Sequence, residues 1–221
     1  MSDFATSRQY MVDCQVRPSD VTDLRIIDAM LSVPRETFVP DGKRAIAYLD
    51  LDIDVAAAGK TKRHLIKPAV LAKMIQAAAI SEKDRVLVVG CATGYSAAVI
   101  GHLAKEVFAT EPDPALVTAA KTNLAGLGIT NVTVGPAEPA AGDQAHALYD
   151  VILLDGATEI EPQGLYEQLK MGGRFVGVFA TSQPPRAILV ARSPADFGSR
   201  VLFDASAPVL PGLERLRAFT F

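Results

Sequence analysis

The sequence has little of what disulfide-linked and zinc-binding proteins need. Only two cysteines, Cys14 and Cys91, occur in 221 residues. They are far apart, and neither has a second cysteine or a histidine at metal-ligand spacing. No disulfide framework and no metal site are therefore expected, and this cysteine usage fits a reducing cytoplasm.

Three further absences narrow the class of protein. No apolar run reaches the roughly 18 residues that a membrane-spanning helix needs, so no membrane span is expected. The N-terminal segment lacks the apolar core of a signal peptide. The formal net charge is −3, without a basic excess, which argues against a general nucleic-acid binder.

What is present is a regular alternation of strand and helix patterns after residue 80. Short apolar runs predict strands, and each of the first four is followed by a helical or loop segment. A helix is expected over 161–169, and after Pro184 and Pro185 the pattern becomes all strand. The predicted strands are 86–89, 106–111, 131–134, 149–155, 172–179, 187–192, 200–204 and 215–221.

This pattern predicts an α/β fold, namely a doubly wound, mostly parallel sheet of the Rossmann-like kind with an antiparallel edge. Residues 1–80 are expected to form a helical and loop cap with an extended segment at 45–55. Residues 81–221 are expected to form the α/β domain, and the whole chain to fold as one compact unit.

A ligand site is expected where strand 86–89 meets the following helix. Gly90, Ala92 and Gly94 are small enough to let a ligand approach the backbone, and helix N-termini favour such sites. Glu111 ends the next strand, where a carboxylate can accept both hydroxyls of a ribose. Alternatively, the glycines are plain turn formers and Glu111 caps the following helix.

Other strand ends complete the predicted site. Glu138 lies just past the third strand, where it could read an adenine edge, and Asp155 ends the fourth. Either could instead be a solvated loop carboxylate or a turn residue. The predicted cofactor-binding residues are Val88, Gly90, Cys91, Ala92, Gly94, Glu111, Pro112, Ala137, Glu138 and Asp155.

The shape of the glycine turn bears on which cofactor it would hold. A dinucleotide favours a third glycine, and position 96 is serine, so a nicotinamide-dependent oxidoreductase is disfavoured. S-adenosylmethionine, which has no pyrophosphate, fits better.

At this point the chain resembles the protein-L-isoaspartate O-methyltransferase family over most of its length. The resemblance is carried by Met11-Val-Asp-Cys-Gln15, Val33-Pro-Arg-Glu-Thr-Phe-Val-Pro40, the turn at 86–98, Glu111 and Leu169-Lys-Met-Gly-Gly-Arg174. It implies a class I methyltransferase fold with a seven-stranded sheet, S-adenosylmethionine as methyl donor, and a protein or peptide substrate methylated on the α-carboxylate of an isoaspartyl residue. It further implies that Glu111 binds the ribose and that Glu138 lies near the adenine.

The chain departs from this family in two places. Val88 stands where the family usually has an acid, two residues before Gly90. The family's substrate loop usually reads Gln-Thr-Ile-Ser-Gln-Pro, and here the same register reads Arg63-His-Leu-Ile-Lys-Pro68, so two hydroxyl side chains are missing.

This basic loop remains the predicted place for a substrate. Its cations could bind an anionic acceptor through charge-assisted hydrogen bonds, or the loop could simply be solvated. The substrate-binding candidates are Arg63, His64, Leu65, Ile66 and Lys67, and no catalytic residue is assigned. The alternative function is a non-catalytic or altered-specificity protein of the same fold that binds the cofactor weakly.

Overall fold

The computed structural model describes residues 3–216. Its strands, in chain order, are β1 (Ile53–Asp54), β2 (His64–Leu65), β3 (Arg85–Val89), β4 (Glu106–Glu111), β5 (Val132–Pro136), β6 (Tyr149–Thr158), β7 (Leu169–Phe179), β8 (Arg186–Arg192) and β9 (Phe197–Asp204). Its α-helices are α1 (Phe4–Met11), α2 (Leu24–Ser32), α3 (Pro68–Ala78), α4 (Tyr95–Gly101), α5 (Pro114–Gly126) and α6 (Gln163–Tyr166).

Seven strands form one sheet in the order β5-β4-β3-β6-β7-β8-β9. Pairs from β5 to β7 are parallel, and β8 and β9 are added antiparallel. The strand order reverses between β3 and β6. The predicted mostly parallel sheet with an antiparallel edge is thus confirmed.

The central strands are apolar on both faces because both faces are covered. In β3, Val86 and Val88 point into the larger core cluster, which also contains side chains from α2 to α5. Leu87 and Val89 point into a smaller cluster on the other face, with Leu165 of α6. Strand alternation therefore sorts β3 side chains between two cores.

The N-terminal helices share the larger core with the sheet. Asp23 caps α2 by accepting a hydrogen bond from Arg25 N at 2.9 Å. Pro68 begins α3, where its missing N–H costs nothing. The boundary between residues 1–80 and 81–221 stays a prediction, although apolar side chains from both parts lie in one cluster.

Two local predictions were wrong, and a third lies mostly outside the described residues. The helix expected over 161–169 is only Gln163–Tyr166, because Leu169 already pairs with Tyr149. The segment 45–55 was expected to be extended, but only Ile53–Asp54 is a strand. The predicted strand 215–221 lies mostly outside the described residues, and positions 215 and 216 are not in a strand.

Within residues 3–216, no helix combines the length and the apolar character needed to cross a membrane.

Candidate functional site

The carboxyl ends of β3, β4 and β6 meet where the strand order reverses, which is where ligands bind in such sheets. Val89 pairs with Thr110 on one side and with Leu154 on the other. The next residue of each strand must therefore lie side by side. These residues are Gly90, Glu111 and Asp155.

The turn after β3 is tight and left-handed in three places. Gly90, Ala92 and Gly94 have φ angles of 76°, 48° and 98°. Gly90 N donates to Thr110 O at 2.8 Å, which ties the turn to the neighbouring strand. A Cβ added at Gly94 would lie 3.2 Å from Ala120 Cβ, so glycine is needed for both φ and close packing.

Glu111 is fully buried, and both of its carboxylate oxygens already have partners. Oε2 accepts a hydrogen bond from Ala92 N at 2.8 Å. Arg63 donates through Nε to Oε1 at 2.9 Å and through Nη2 to Oε2 at 2.8 Å. The acid predicted to bind a ribose is thus in a bidentate ion pair with the chain's own arginine.

Arg63 reaches this position from the basic loop. Its carbonyl accepts a hydrogen bond from Val55 N at 2.7 Å, and the adjoining β2 pairs with β1. Nη2 also donates to Gly90 O at 2.9 Å. Burial lowers the pKa of Arg63, but the bonds to Glu111 outweigh burial and raise it, so the guanidinium stays charged.

Leu210 covers the same place from the C-terminal segment. A Cβ built on Gly90 would lie 2.7 Å from Leu210 Cδ1 and 2.9 Å from Arg63 Nη2. A Cβ built on Gly156 would also meet Leu210, at 2.7 Å. Leu210 N donates to Ala157 O at 2.9 Å, so the segment is fastened to β6. Leu210 and Arg63 therefore fill the space directly beside Gly90, the first glycine of the turn.

A cavity of about 330 Å³ remains open just outside this filled space. Glu138 and Pro112, both predicted cofactor residues, line it together with Arg63. Ala137, which precedes Glu138 in the chain, donates through its backbone N to Glu111 O at 3.4 Å. The predicted adenine side of the site is therefore accessible, whereas Arg63 covers Glu111 and Leu210 covers Gly90.

Asp155 closes the inner end of the site. Its side chain is 2% exposed, and Oδ2 accepts a hydrogen bond from Ser96 Oγ. Oδ1 has no hydrogen-bond partner among residues 3–216. Burial raises the pKa of Asp155 to about 6, against the lowering influence of Ser96 and Arg63.

The predicted substrate residues do not form one exposed face. Leu65 and Ile66 are each 2% exposed, and both belong to the larger core. His64 is half-buried, and burial lowers its pKa. Lys67 is also half-buried, and its N–H donates to Asp52 Oδ1 at 3.0 Å. Leu65, which pairs with Ile53, and Ile66, which follows β2, pack in the core in this structure, and their contact with a substrate stays a prediction.

Arg35 is a buried residue whose role sequence reasoning missed. It is fully buried, and it donates through Nε to Ala47 O at 2.9 Å and through Nη2 to Ile66 O at 2.8 Å. Its guanidinium carbon lies 4.5 Å from the centre of the Tyr95 ring. Arg35 thus holds the loop against the cap, and no periodic pattern in the sequence marks such a contact.

Two other predicted cofactor residues are buried. Val88 is fully buried in the larger core. Cys91 is also buried, and burial raises the pKa of its thiol well above the usual value, so it is not a reactive thiolate. Among residues 3–216, no group of three or more His, Cys, Asp or Glu side chains could hold a metal ion.

Comparison with known proteins decides the family. The family model for protein-L-isoaspartate(D-aspartate) O-methyltransferase matches residues 7–189. The chain belongs to this family. A protein-L-isoaspartate O-methyltransferase from Koribacter versatilis is 36% identical over 204 residues, covering 92% of this chain and 90% of that protein. One from Methylorubrum extorquens is 40% identical over 174 residues, covering 79% and 74%.

Solved structures show the same fold. A protein-L-isoaspartate O-methyltransferase aligns with a TM-score of 0.83 at 24% identity, over 94% of this chain and 67% of that one. A Plasmodium falciparum protein of the same type, in complex with S-adenosyl-L-homocysteine, aligns with a TM-score of 0.76 at 15% identity, over 95% and 99%. The class I methyltransferase fold is confirmed.

The protein-L-isoaspartate O-methyltransferase family uses S-adenosylmethionine. The site has residues suited to that group: a glycine turn, an acid at the end of β4, and an open cavity beside Glu138. In this conformation, however, Arg63 occupies the oxygens of Glu111 and Leu210 occupies the space over Gly90. The residues fit the cofactor in kind, and Arg63 and Leu210 overlap the place predicted for it at Glu111 and Gly90.

Proposed function

We propose that this protein transfers a methyl group from S-adenosylmethionine to the α-carboxylate of an isoaspartyl residue in a damaged protein or peptide. Membership of the family supports the reaction. The observation that carries the proposal is the position of Glu111, buried at the end of β4 and hydrogen-bonded to Ala92 N of the glycine turn.

The residues that would hold the cofactor surround this contact. Glu111 is suited to accept the ribose hydroxyls, and the cavity beside Pro112 and Glu138 is suited to the adenine. Asp155 is a buried acid at the end of β6, beside Gly90, and one of its carboxylate oxygens has no hydrogen-bond partner among the described residues.

When bound, S-adenosylmethionine supplies a methyl group on a positively charged sulfur. The acceptor is itself a carboxylate and needs no strong base, so the protein's task is to position the acceptor and exclude water. His64 and Lys67 remain the candidates that could hold an anionic acceptor, because both are half-buried rather than in the core.

The experiment is methyl transfer from radiolabelled S-adenosylmethionine to an isoaspartyl peptide, with the aspartyl isomer as control. Base-labile label on the isoaspartyl peptide alone supports the proposal. Equal labelling of both isomers, or of neither, contradicts it. The Glu111→Ala variant should also bind S-adenosylhomocysteine more weakly, and unchanged affinity would refute the ribose assignment.

A second candidate is a protein that keeps the fold without catalysis. The filled space at Arg63 and Leu210 favours it, because a cofactor cannot enter without displacing both. Calorimetric titration with S-adenosylhomocysteine separates the two candidates: absence of binding at millimolar ligand favours the second.

A further inference from the structure

We propose that Arg63 and Leu210 form an internal lock on the cofactor site, and that the cofactor must displace this lock in order to bind. The proposal rests on the proposed function and concerns the regulation of the same site. In this proposal Arg63 contacts Glu111, the glutamate predicted to bind the ribose of the cofactor, and does not contact the substrate.

The first observation is competition for Glu111. A ribose diol binds a carboxylate by donating two hydroxyl hydrogens to its oxygens. Arg63 already donates to Oε1 at 2.9 Å and to Oε2 at 2.8 Å, and Ala92 N takes a further position on Oε2. Guanidinium and ribose therefore cannot occupy this carboxylate in the same geometry.

The second observation is independent of charge. Leu210 fills the space beside Gly90 and Gly156, where side-chain-free backbone would otherwise allow close approach of a ligand. Leu210 lies outside the stretch 7–189 that matches the family model. Arg63 and Leu210 are thus far apart in the sequence, and both cover the space beside Gly90.

The third observation is that Arg63 borders open space on its outer side. Arg63 lines the open cavity of about 330 Å³ together with Lys60, Asp113 and Glu138. Val55 N donates a hydrogen bond to Arg63 O at 2.7 Å, so the lock that we propose opens by rotation of the Arg63 side chain on a backbone held at this point.

A lock of this kind lowers the apparent affinity by the fraction of molecules that are open. Its removal should therefore tighten binding. Arg63→Gln is the informative variant, because glutamine occupies this register in the substrate loop that the sequence resembles. Lys62→Gln is the matched control, since it removes a neighbouring charge from an exposed position of the same loop.

The test is calorimetric titration of each folded variant with S-adenosylhomocysteine, checked by circular dichroism. Arg63→Gln should bind at least about tenfold more tightly than the wild type, and Lys62→Gln should bind as the wild type does. Leu210→Ala, which leaves the ion pair intact, should also bind more tightly. Equal or weaker binding by both Arg63→Gln and Leu210→Ala overturns the lock.

The wild-type protein provides a second readout that needs no variant. The Arg63 Nε–H, hydrogen-bonded to Glu111, should give a solvent-protected NMR signal that is lost or shifted at saturating S-adenosylhomocysteine. An unchanged signal in the bound protein overturns the proposal.

The two proposals fail separately. Tighter binding by Arg63→Gln without methyl transfer to an isoaspartyl peptide supports the lock and refutes the proposed function. Methyl transfer with no gain in affinity for either variant supports the function and refutes the lock. If no variant binds at millimolar ligand, both are refuted.

Discussion

Arg63 and Glu111 form a bidentate ion pair in which the arginine is 3% exposed and the glutamate 0%. Both charged groups are buried, so each needs the other to offset the free energy lost when it is removed from water. The pair joins a loop of the N-terminal part to the carboxyl edge of the sheet. It should therefore contribute to stability, besides the effect on cofactor binding that we propose.

Replacing one partner should destabilise the fold strongly. Arg63→Met leaves the buried Glu111 without its counter-ion and should cost about 3–5 kcal/mol of unfolding free energy, measured by urea denaturation. The double variant Arg63→Met with Glu111→Leu should lose less than the sum of the two single variants, because neither charge is left unpaired. Strict additivity would show that the pair is not coupled.

Arg35 should be as important to stability as a core residue. Arg35→Ala removes two charge-assisted hydrogen bonds to buried carbonyls, Ala47 O and Ile66 O, and should cost about 3 kcal/mol or more. Arg44→Ala, at an exposed ion pair with Asp41, should change the unfolding free energy by less than about 1 kcal/mol. Similar losses for both variants would contradict the role assigned to Arg35.

Asp155 should make stability fall as pH rises. Its folded pKa, about 6, lies above the ordinary value of 3.8, so the native state holds the proton more tightly than the unfolded state. Its contribution is complete below pH 3.8 and is lost as pH rises towards about 6, a change of about 3 kcal/mol. Asp155→Asn should therefore gain stability relative to the wild type across this window, measured by urea denaturation at several pH values.

Asp150 is the control of opposite sign. Burial raises its pKa, but hydrogen bonds from Arg85 N and Lys170 outweigh burial and hold the pKa below its usual value. Asp150→Asn should be less stable than the wild type at neutral pH, and the difference should shrink in acid. If the two variants show the same trend, the assignment of Asp155 is wrong.

The turn after β3 should reject a side chain at Gly94. With φ at 98° and a Cβ contact of 3.2 Å to Ala120, Gly94→Ala should cost about 1–3 kcal/mol of unfolding free energy. Gly126, at the end of α5, has no atom within 4 Å of an added Cβ. Gly126→Ala should be neutral or stabilising by about 0.5 kcal/mol, and a loss equal to that at Gly94 would contradict the strain argument.

Much of the sheet could be predicted from the sequence because the patterns that identify its strands are local. Strand β4 has the predicted bounds, and β3 and β8 differ by one residue. Unbroken apolar runs bounded by glycine and polar residues identify buried parallel strands. The helix predicted over 161–169 failed because pairing of Leu169 with Tyr149 overrode a weak local preference.

The site was only partly readable. Placing Gly90, Glu111 and Asp155 side by side follows from strand ends in a parallel sheet, and the structure has them there. The same reasoning treated Arg63 as a loop cation facing an acceptor. Its contact with Glu111, 48 residues away, and the contact of Leu210 with Gly90 could not be predicted, because no local sequence pattern indicates either contact.

The sequence by itself indicated the family, through its resemblance in several motifs, and the mostly parallel sheet, because hydrophobic runs and small-residue turns act over a few residues. Only the tertiary structure decided what fills the space between those ends. Burying a charge is favourable only beside its partner, and which partner Glu111 has depends on how a distant loop packs. The glycine turn has the shape of a cofactor site, and Arg63 and Leu210 decide whether it is open.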